Sequence, residues 1–179
     1  MKGSPNSEDK ILLLKATNGD AESFGVLFDK YSKKIYRFIF YKVSSNEIAE
    51  DLTSQCFLKT WEHLTTGTKI KNFQQWIYRV SRNLVIDYYR SREKEELPLI
   101  YQDDEILHES LVVNPDNNLN SDELKALILT LKSDIREIIL LKYVEDLSIK
   151  EIAKIVDKSP GNIRVIIHRA IQELKKNVN

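Results

Sequence analysis

Residues 148–170, SIKEIAKIVDKSPGNIRVIIHRA, are the stretch that decides the fold of this chain. Ser148 and Glu151 stand three residues apart at the head of an apolar run, a capping-box pattern that predicts the start of a short helix. Ser159 is a suitable N-cap for a second helix, because Pro160 would occupy the first helical position, where a missing N–H costs nothing. A short helix, a tight turn and a longer helix together predict a helix-turn-helix, which reads duplex DNA in many proteins.

The second helix of this motif carries different residues on its two faces. Its apolar positions recur at the three- and four-residue spacing of a buried stripe: Ile163, Ile167, Ala170, Ile171 and Leu174. The opposite face is polar and basic, and Glu173 is the only acid between residues 158 and 176. Basic and amide side chains near the start of such a helix can reach base edges and phosphates in a major groove, so the pattern predicts contact with DNA.

Residues 8–94 form an earlier block in which apolar residues recur at helical spacing, so we predict four amphipathic helices there. The first is marked by Ile11, Leu12 and Leu14. The other three have a predicted N-cap: Asp20, then Ser45 or Asn46, then Asn72. The predicted buried side of the fourth helix consists of Phe73, Trp76, Ile77, Val80, Leu84 and Tyr88.

An acidic, irregular segment separates the two helical blocks. Residues 95–121 carry many carboxylates together with Pro98 and Pro115, which is typical of a linker rather than a domain. We therefore expect an all-α fold of two small helical domains joined by a flexible acidic linker. The predicted divisions are a disordered tail at 1–7, a first domain at 8–94, the linker at 95–121 and a second domain at 122–179.

The composition excludes several classes of protein. No run of about 18 apolar residues is present and the N-terminus has no apolar signal segment, so we expect a cytoplasmic protein without membrane insertion. One cysteine and three widely separated histidines provide neither a disulfide nor a metal site, and we expect no cofactor. The formal net charge is zero, whereas a protein that binds DNA by itself is usually basic.

Two further patterns in the first block indicate surfaces. Between residues 69 and 94, basic side chains are interleaved with tyrosines and outnumber the acids. This composition suits single-stranded DNA, because bases can stack on rings while phosphates are neutralised. Near the start of the third helix, Glu47, Glu50 and Asp51 form an acidic group. These acids either complement the helix dipole or form a docking surface for a basic partner, and the residues alone leave both interpretations open.

Several segments resemble one known family, the bacterial RNA polymerase sigma factors of the extracytoplasmic-function (ECF) group. Residues 49–53 (AEDLT) followed by 57–61 (FLKTW) are similar to the helix by which that family binds core polymerase. Residues 73–90 (FQQWIYRVSRNLVIDYYR) are similar to its promoter-melting helix. Residues 136–148 (REIILLKYVEDLS) and 163–170 (IRVIIHRA) are similar to its fourth region.

The resemblance implies a sigma factor, which is not an enzyme but directs core polymerase to specific promoters and helps to melt the DNA. Its partners would be core RNA polymerase, promoter DNA as duplex and as melted non-template strand, and an anti-sigma factor. The implied contacts with core polymerase are Glu50, Asp51, Leu52 and Thr53. Those with minus-ten single-stranded DNA are Lys69, Lys71, Tyr78, Arg79, Arg82, Asn83, Asp87 and Arg90. Those with minus-thirty-five duplex DNA are Ser159, Gly161, Asn162, Arg164, Val165, His168 and Arg169.

Two other functions are alternatives. A free-standing helix-turn-helix transcription regulator would need a sensor or dimerisation domain in residues 8–94, where neither a βα pattern nor a ligand-pocket signature is present. An enzyme with a DNA-binding tail would need clustered carboxylates for a metal, or an activated nucleophile. Glu50 and Asp51 have no second carboxylate pair in a suitable place, and Cys56 lies in an apolar stripe where we expect it to be inert.

Overall fold

The computed structural model describes residues 5–95, 128 and 130–178. Every regular element among these residues is helical, and the chain divides into two compact units, one within residues 1–112 and one within 113–179. The predicted all-α fold with two helical domains is confirmed. The first unit contains α1 (Pro5–Thr17), α2 (Ala21–Val43), α3 (Asn46–Thr65) and α4 (Phe73–Glu95). The second contains α5 (Ser133–Ile139), a π-helical turn (Leu140–Val144), α6 (Ile149–Ile155) and α7 (Pro160–Val178).

Polar side chains begin the helices of the first unit where the sequence predicts. The Asp20 carboxylate accepts a hydrogen bond at 3.1 Å from an N–H in the first turn of α2. The Ser45 hydroxyl accepts a corresponding bond at 3.4 Å before α3, and the Asn72 amide oxygen accepts one at 2.9 Å before α4. Each bond satisfies a donor that the helix itself leaves unpaired, so these caps fix where each helix starts.

α2 is the central helix of the first unit, and the other three helices pack against it. Its buried residues are Ser23, Leu27, Tyr31, Ile35, Phe38, Ile39, Phe40 and Tyr41. The ring of Tyr31 lies 5.2 Å from that of Phe73, measured between centroids. The ring of Phe38 lies 5.3 Å from that of Tyr78 in an edge-to-face arrangement. Because these two contacts follow the same order along both helices, α2 and α4 run parallel.

The buried face of α4 differs from the one predicted. Of the six predicted residues, Phe73, Ile77 and Leu84 are buried, whereas Trp76, Val80 and Tyr88 are only half-buried. Tyr78, Ser81 and Val85 are buried in addition. The reason is that α4 packs against both α2 and α3, so its core-facing side is wider than a stripe drawn for one neighbour.

α1 begins earlier than expected. It starts at Pro5, so residues 5–7 are helical, although a disordered tail is predicted at 1–7. Proline suits the first helical position, because its fixed φ is already helical and its missing N–H would have no partner there. Residues 1–4 lie outside the described part of the chain.

A buried carboxylate decides which side of α1 faces the core. Asp9 is 5% exposed and accepts hydrogen bonds from the Tyr31 hydroxyl and the Lys30 ammonium group of α2. Leu13 and Ala16 follow Asp9 at spacings of four and three residues and are buried on the same face. Of the three apolar residues that mark this helix in the sequence, Ile11 and Leu14 are turned outward as a result, at 60% and 66% exposed, whereas Leu12 is half-buried.

In the second unit, α7 packs against α5 and α6. Leu131, Ile139 and Ala170 form a buried cluster, and Ile135 and Leu174 pack half-buried beside it. The cluster holds α7 by one face only. The opposite face of α7 therefore does not pack against the rest of this unit.

The helix predicted at about 133–144 does not keep α-helical geometry to its end. α5 stops at Ile139 and the chain continues as the π-helical turn, where the N–H of Glu145 donates to the carbonyl of Leu140 at 3.1 Å. Asp146 then has a left-handed φ of 51°, which aspartate tolerates better than most residues. The wider turn and the left-handed residue end the helix and direct the chain into α6.

Two predictions fall mainly outside the described residues. The linker at 95–121 does so except for Glu95, which ends α4. The helix predicted near 121–131 does so except for residues 128, 130 and 131, of which residue 128 is helical.

Replacing Asp9 tests its role as the anchor of α1. Asp9→Ala removes the acceptor of a buried Tyr31 hydrogen bond, so we expect the free energy of unfolding of the first unit to fall by about 1–3 kcal/mol. Urea denaturation followed by tryptophan fluorescence measures this, because both tryptophans, Trp61 and Trp76, lie in the first unit.

Glu8→Ala is the matched control. Glu8 also approaches Lys30, at 3.7 Å, but its side chain is 74% exposed. Exposed ion pairs contribute little, so we expect a change below about 0.5 kcal/mol. Equal effects of the two substitutions would contradict the buried anchor.

Candidate nucleic-acid interfaces

The helix-turn-helix of the second unit is built by the capping residues that the sequence predicts. The N–H of Glu151 donates to the Ser148 hydroxyl at 3.3 Å, and the N–H of Ser148 donates to the Glu151 carboxylate at 2.9 Å, which completes the capping box before α6. Asp157 has a left-handed φ of 55° in the turn. The Ser159 hydroxyl then accepts a bond at 3.2 Å from the first turn of α7, whose first residue is Pro160.

α7 turns one face to the core and the other to solvent. Ile163, Ile167 and Ala170 are buried. All seven residues expected at duplex DNA are exposed: Ser159, Gly161, Asn162, Arg164, Val165, His168 and Arg169. The structure thus brings them together on one side of α7, where amide, guanidinium and imidazole groups can meet a ligand without disturbing the core.

The second candidate surface lies on α4 and the loop before it. Lys69 and Lys71 are exposed in the loop. Four exposed residues of α4 follow one another at spacings of four, four and three and therefore share one face: Arg79, Asn83, Asp87 and Arg90. Arg82 is half-buried. Arg90 and Asp87 approach to 4.0 Å, but both are well exposed, so this ion pair contributes little to stability.

Tyr78 is the exception among the residues expected at single-stranded DNA. It has no exposed surface, and its ring packs edge-to-face against Phe38 of α2. A base cannot stack on this ring, which corrects the expectation that Tyr78 contacts DNA. The physical reason is that Tyr78 lies on the side of α4 that faces α2, which sequence spacing alone does not show.

The acidic surface at the start of α3 is also smaller than expected. Glu50 and Asp51 are exposed, but Leu52 and Thr53 are only 6% and 8% exposed. The Thr53 hydroxyl donates to the carbonyl of Ala49 at 2.6 Å. Successive helical residues point about 100° apart, so four consecutive residues cannot share one surface. Leu52 and Thr53 belong to the core. This corrects the expectation that they contact a partner.

Leu58 is a surface residue that the sequence pattern did not predict. It is 57% exposed although its neighbour Phe57 is buried. It follows Asp51 by seven residues, or two helical turns, and so lies on the same face as the exposed acids. The sequence spacing could have indicated its exposure, because Leu58 does not share the three- and four-residue spacing that places Leu52 and Cys56 in the core.

Cys56 is fully buried, and burial raises the pKa of its thiol to about 12. Because the thiolate is the reactive form, this cysteine is not a nucleophile at neutral pH. Within residues 5–95, 128 and 130–178, no group of three or more His, Cys, Asp or Glu residues is arranged to hold a metal ion. In the same part of the chain, no helix has the length and apolar character needed to cross a membrane.

Comparison with known families assigns both units. Residues 27–95 match Sigma-70 region 2, and residues 121–174 match Sigma-70, region 4. The ECF RNA polymerase sigma factor SigM of Bacillus subtilis is 30% identical over 156 residues, which cover 86% of this chain and 93% of SigM. This chain is an ECF RNA polymerase sigma factor.

Other relatives agree with this assignment. SigW of Bacillus subtilis is 28% identical to this sigma factor, with 94% of this chain and 96% of SigW covered. BldN of Streptomyces coelicolor is 31% identical over 92% of this chain, which spans 64% of BldN. Two solved structures share the fold: CnrH in complex with the cytosolic domain of CnrY, and RpoE in complex with the anti-sigma factor NepR from Bartonella quintana.

The two structural matches are extensive. CnrH aligns with a TM-score of 0.70 at 18% identity and covers 96% of this sigma factor and 97% of CnrH. RpoE aligns with a TM-score of 0.68 at 23% identity, covering 87% and 96% of the two chains. At this level of identity the matches establish the fold.

Family membership decides between the functions that the sequence left open. A sigma factor directs RNA polymerase to promoters and is not itself an enzyme, and its partners are core RNA polymerase and promoter DNA. Sigma region 2 occupies the block in which a free-standing regulator would need a sensor or dimerisation domain. The two alternative functions are therefore not retained.

The buried thiol predicts slow alkylation of the native protein. At pH 8 a thiol with a pKa of about 12 is thiolate in only about one molecule in 10⁴, against roughly a quarter for a free cysteine. We expect iodoacetamide to modify native Cys56 at least about 100-fold more slowly than the same protein unfolded in urea, which is the control. Comparable rates in the two states would show that the thiol is accessible and unshifted.

Proposed function

We propose that the two units of this sigma factor contact different parts of the promoter. α7 enters the major groove of the minus-thirty-five element, and α4 with its preceding loop binds the melted non-template strand of the minus-ten element. The observation that carries this proposal is the exposure of all seven candidate residues of α7 and its cap on the side away from the core. The N-terminal part of the second helix is the part that reaches base edges in helix-turn-helix proteins.

Contacts of α7 with the duplex fall into two chemical kinds. Arg164 and Arg169 carry guanidinium groups that suit guanine edges or phosphates. Asn162 and His168 supply donors and acceptors that suit base edges. Ser159, at the start of the helix, is placed to meet a phosphate together with the backbone N–H groups of the first turn.

Contacts of the first unit with the melted strand rest mainly on cations and amides. Lys69 and Lys71 neutralise phosphates in the loop, and Arg79, Asn83 and Arg90 extend the same surface along α4. A base of the non-template strand is captured in a flipped position against this surface, at an unstacking cost of about a few kcal/mol. Tyr78 takes no part in these contacts and supports α4 from inside the unit.

The exposed acids of α3 dock on core RNA polymerase. Glu50 and Asp51 stand on one face with Leu58 two turns later, so the surface combines negative charge with one large apolar side chain. This combination suits a basic partner surface that also offers an apolar contact. Leu52 and Thr53 hold the same helix in the core.

The neutral net charge fits a division of phosphate contacts between this sigma factor and the polymerase. Counterion release from DNA requires cations, and 27 basic residues are offset here by 27 acidic ones. The free protein therefore binds promoter DNA weakly, and the holoenzyme binds it tightly. We place this activity in the cytoplasm, with region 2 in residues 8–94, region 4 in residues 122–179 and an acidic linker between them.

An anti-sigma factor regulates this protein in the proposal. The solved relative RpoE is in complex with the anti-sigma factor NepR, and CnrH is in complex with the cytosolic domain of CnrY. A partner of this kind acts by covering the surfaces for polymerase or DNA.

Transcription in vitro tests the proposed function. Core RNA polymerase with this protein is expected to start at defined promoters, and Arg169→Ala is expected to lower promoter affinity of the holoenzyme by roughly 5- to 100-fold because one base or phosphate contact is lost. Lys154→Ala, an exposed cation on α6, is the matched control and leaves affinity near the wild-type value. Failure to direct initiation with any bacterial core enzyme would refute the function.

Charge reversal on α3 tests the polymerase surface. Asp51→Arg places a cation where a basic partner docks, so we expect co-purification with core polymerase to be lost while the circular dichroism and melting temperature stay unchanged. Asp29→Arg reverses an exposed acid on α2 of the same unit and should retain core binding. Normal core binding by Asp51→Arg would remove α3 from the interface.

A further inference from the structure

Val165 occupies the centre of the exposed face of α7. At about 100° per residue it points almost directly away from Ile163, Ile167 and Ala170, the buried residues of this helix. It is 47% exposed, so packing within the unit does not account for it. Valine is also a weaker helix former than most residues because its branched side chain loses rotamer freedom. An apolar residue at this place is explained by neither the core nor the helix.

Gly161 lies one turn before Val165 on the same face. Its φ is not in the left-handed region, and a Cβ built on it would meet no atom within 4 Å. Neither backbone geometry nor packing therefore requires glycine, although glycine destabilises a helix relative to alanine. What glycine provides here is a gap in the side-chain surface, which lets an external ligand approach the helix closely beside Val165.

The residues around this apolar centre are hydrogen-bond donors. Asn162, His168 and Arg169 are exposed next to Val165 along the helix. The edges of base pairs in a major groove offer donors, acceptors and one apolar group, the C5 methyl of thymine. An apolar side chain surrounded by donors is complementary to a thymine that is flanked by other bases.

We propose that Val165 contacts the C5 methyl group of a thymine in the minus-thirty-five element, with Gly161 allowing the close approach, so that this sigma factor prefers thymine at one position. The inference rests on the proposed binding of α7 in the major groove. It assigns Val165 a role in specificity rather than in overall affinity. The ligand group is one methyl, because no other apolar group is presented there by unmodified DNA.

Deoxyuridine tests the contact directly, because it differs from thymidine only by lacking this methyl. The probe is a duplex promoter selected by the holoenzyme from a randomised library, with each thymine of the minus-thirty-five element replaced singly by deoxyuridine. Burial of one methyl predicts an affinity loss of about fourfold at one position and none at the others. Wild-type holoenzyme that binds every substituted duplex equally overturns the inference.

Val165→Ala assigns the effect to this side chain. The ratio of affinities for thymine and deoxyuridine at the sensitive position is expected to fall from about four to about one. Gln172→Ala, on the same exposed face two turns further along, is the matched control and keeps the ratio near four. A ratio that stays at four in Val165→Ala overturns the contact while leaving the binding of α7 to DNA intact.

Gly161→Ala separates recognition from stability. Alanine favours the helix, so the melting temperature should rise by roughly 3 °C, while promoter affinity should fall because the added methyl fills the gap beside Val165. A rise in both quantities overturns the close approach. If neither Arg169→Ala nor any base change in the minus-thirty-five element alters binding, the proposed function itself fails, and the inference fails with it.

Discussion

The burial of Tyr78 against Phe38 is the contact on which the surface of the first unit depends. A helix packed on one side can turn only its other side outward, and this ring contact decides which side of α4 is which. A second contact, between Phe73 and Tyr31, holds the start of the same helix. With α4 fixed at two levels along α2, its exposed cations and amides are presented by a rigid backbone. Rigid support of this kind is what a binding surface needs if its geometry is to be selective.

In the second unit, smaller side chains hold α7 in place. Ala170 has no exposed surface and lies in a cluster with Leu131 and Ile139, so α7 is held closely against its support. The caps at Ser148 and Ser159 fix the helix starts on either side of the turn. Core and caps together set the direction of α7, and the exposed face follows from that direction.

The parts that sequence could predict are those decided by near neighbours. The caps at Asp20 and Ser148 depend on donors within three residues, so their positions are visible in the sequence. The parts that it could not predict depend on packing between distant segments. Asp9 reads as a surface acid until Tyr31 supplies a buried donor, and Tyr78 reads as a stacking residue until α2 is placed beside it. Candidate residues whose neighbours are all local kept their predicted exposure, as on α7.

The separation of the two faces of α7 also bears on how such proteins diverge. Ile163 and Ile167 maintain the fold, whereas the outward side chains from Asn162 to Arg169 add little to it. Substitutions among the outward residues therefore leave a folded product at nearly every step. A duplicated gene can in this way acquire a different set of target genes by gradual change, with few intermediates lost to misfolding.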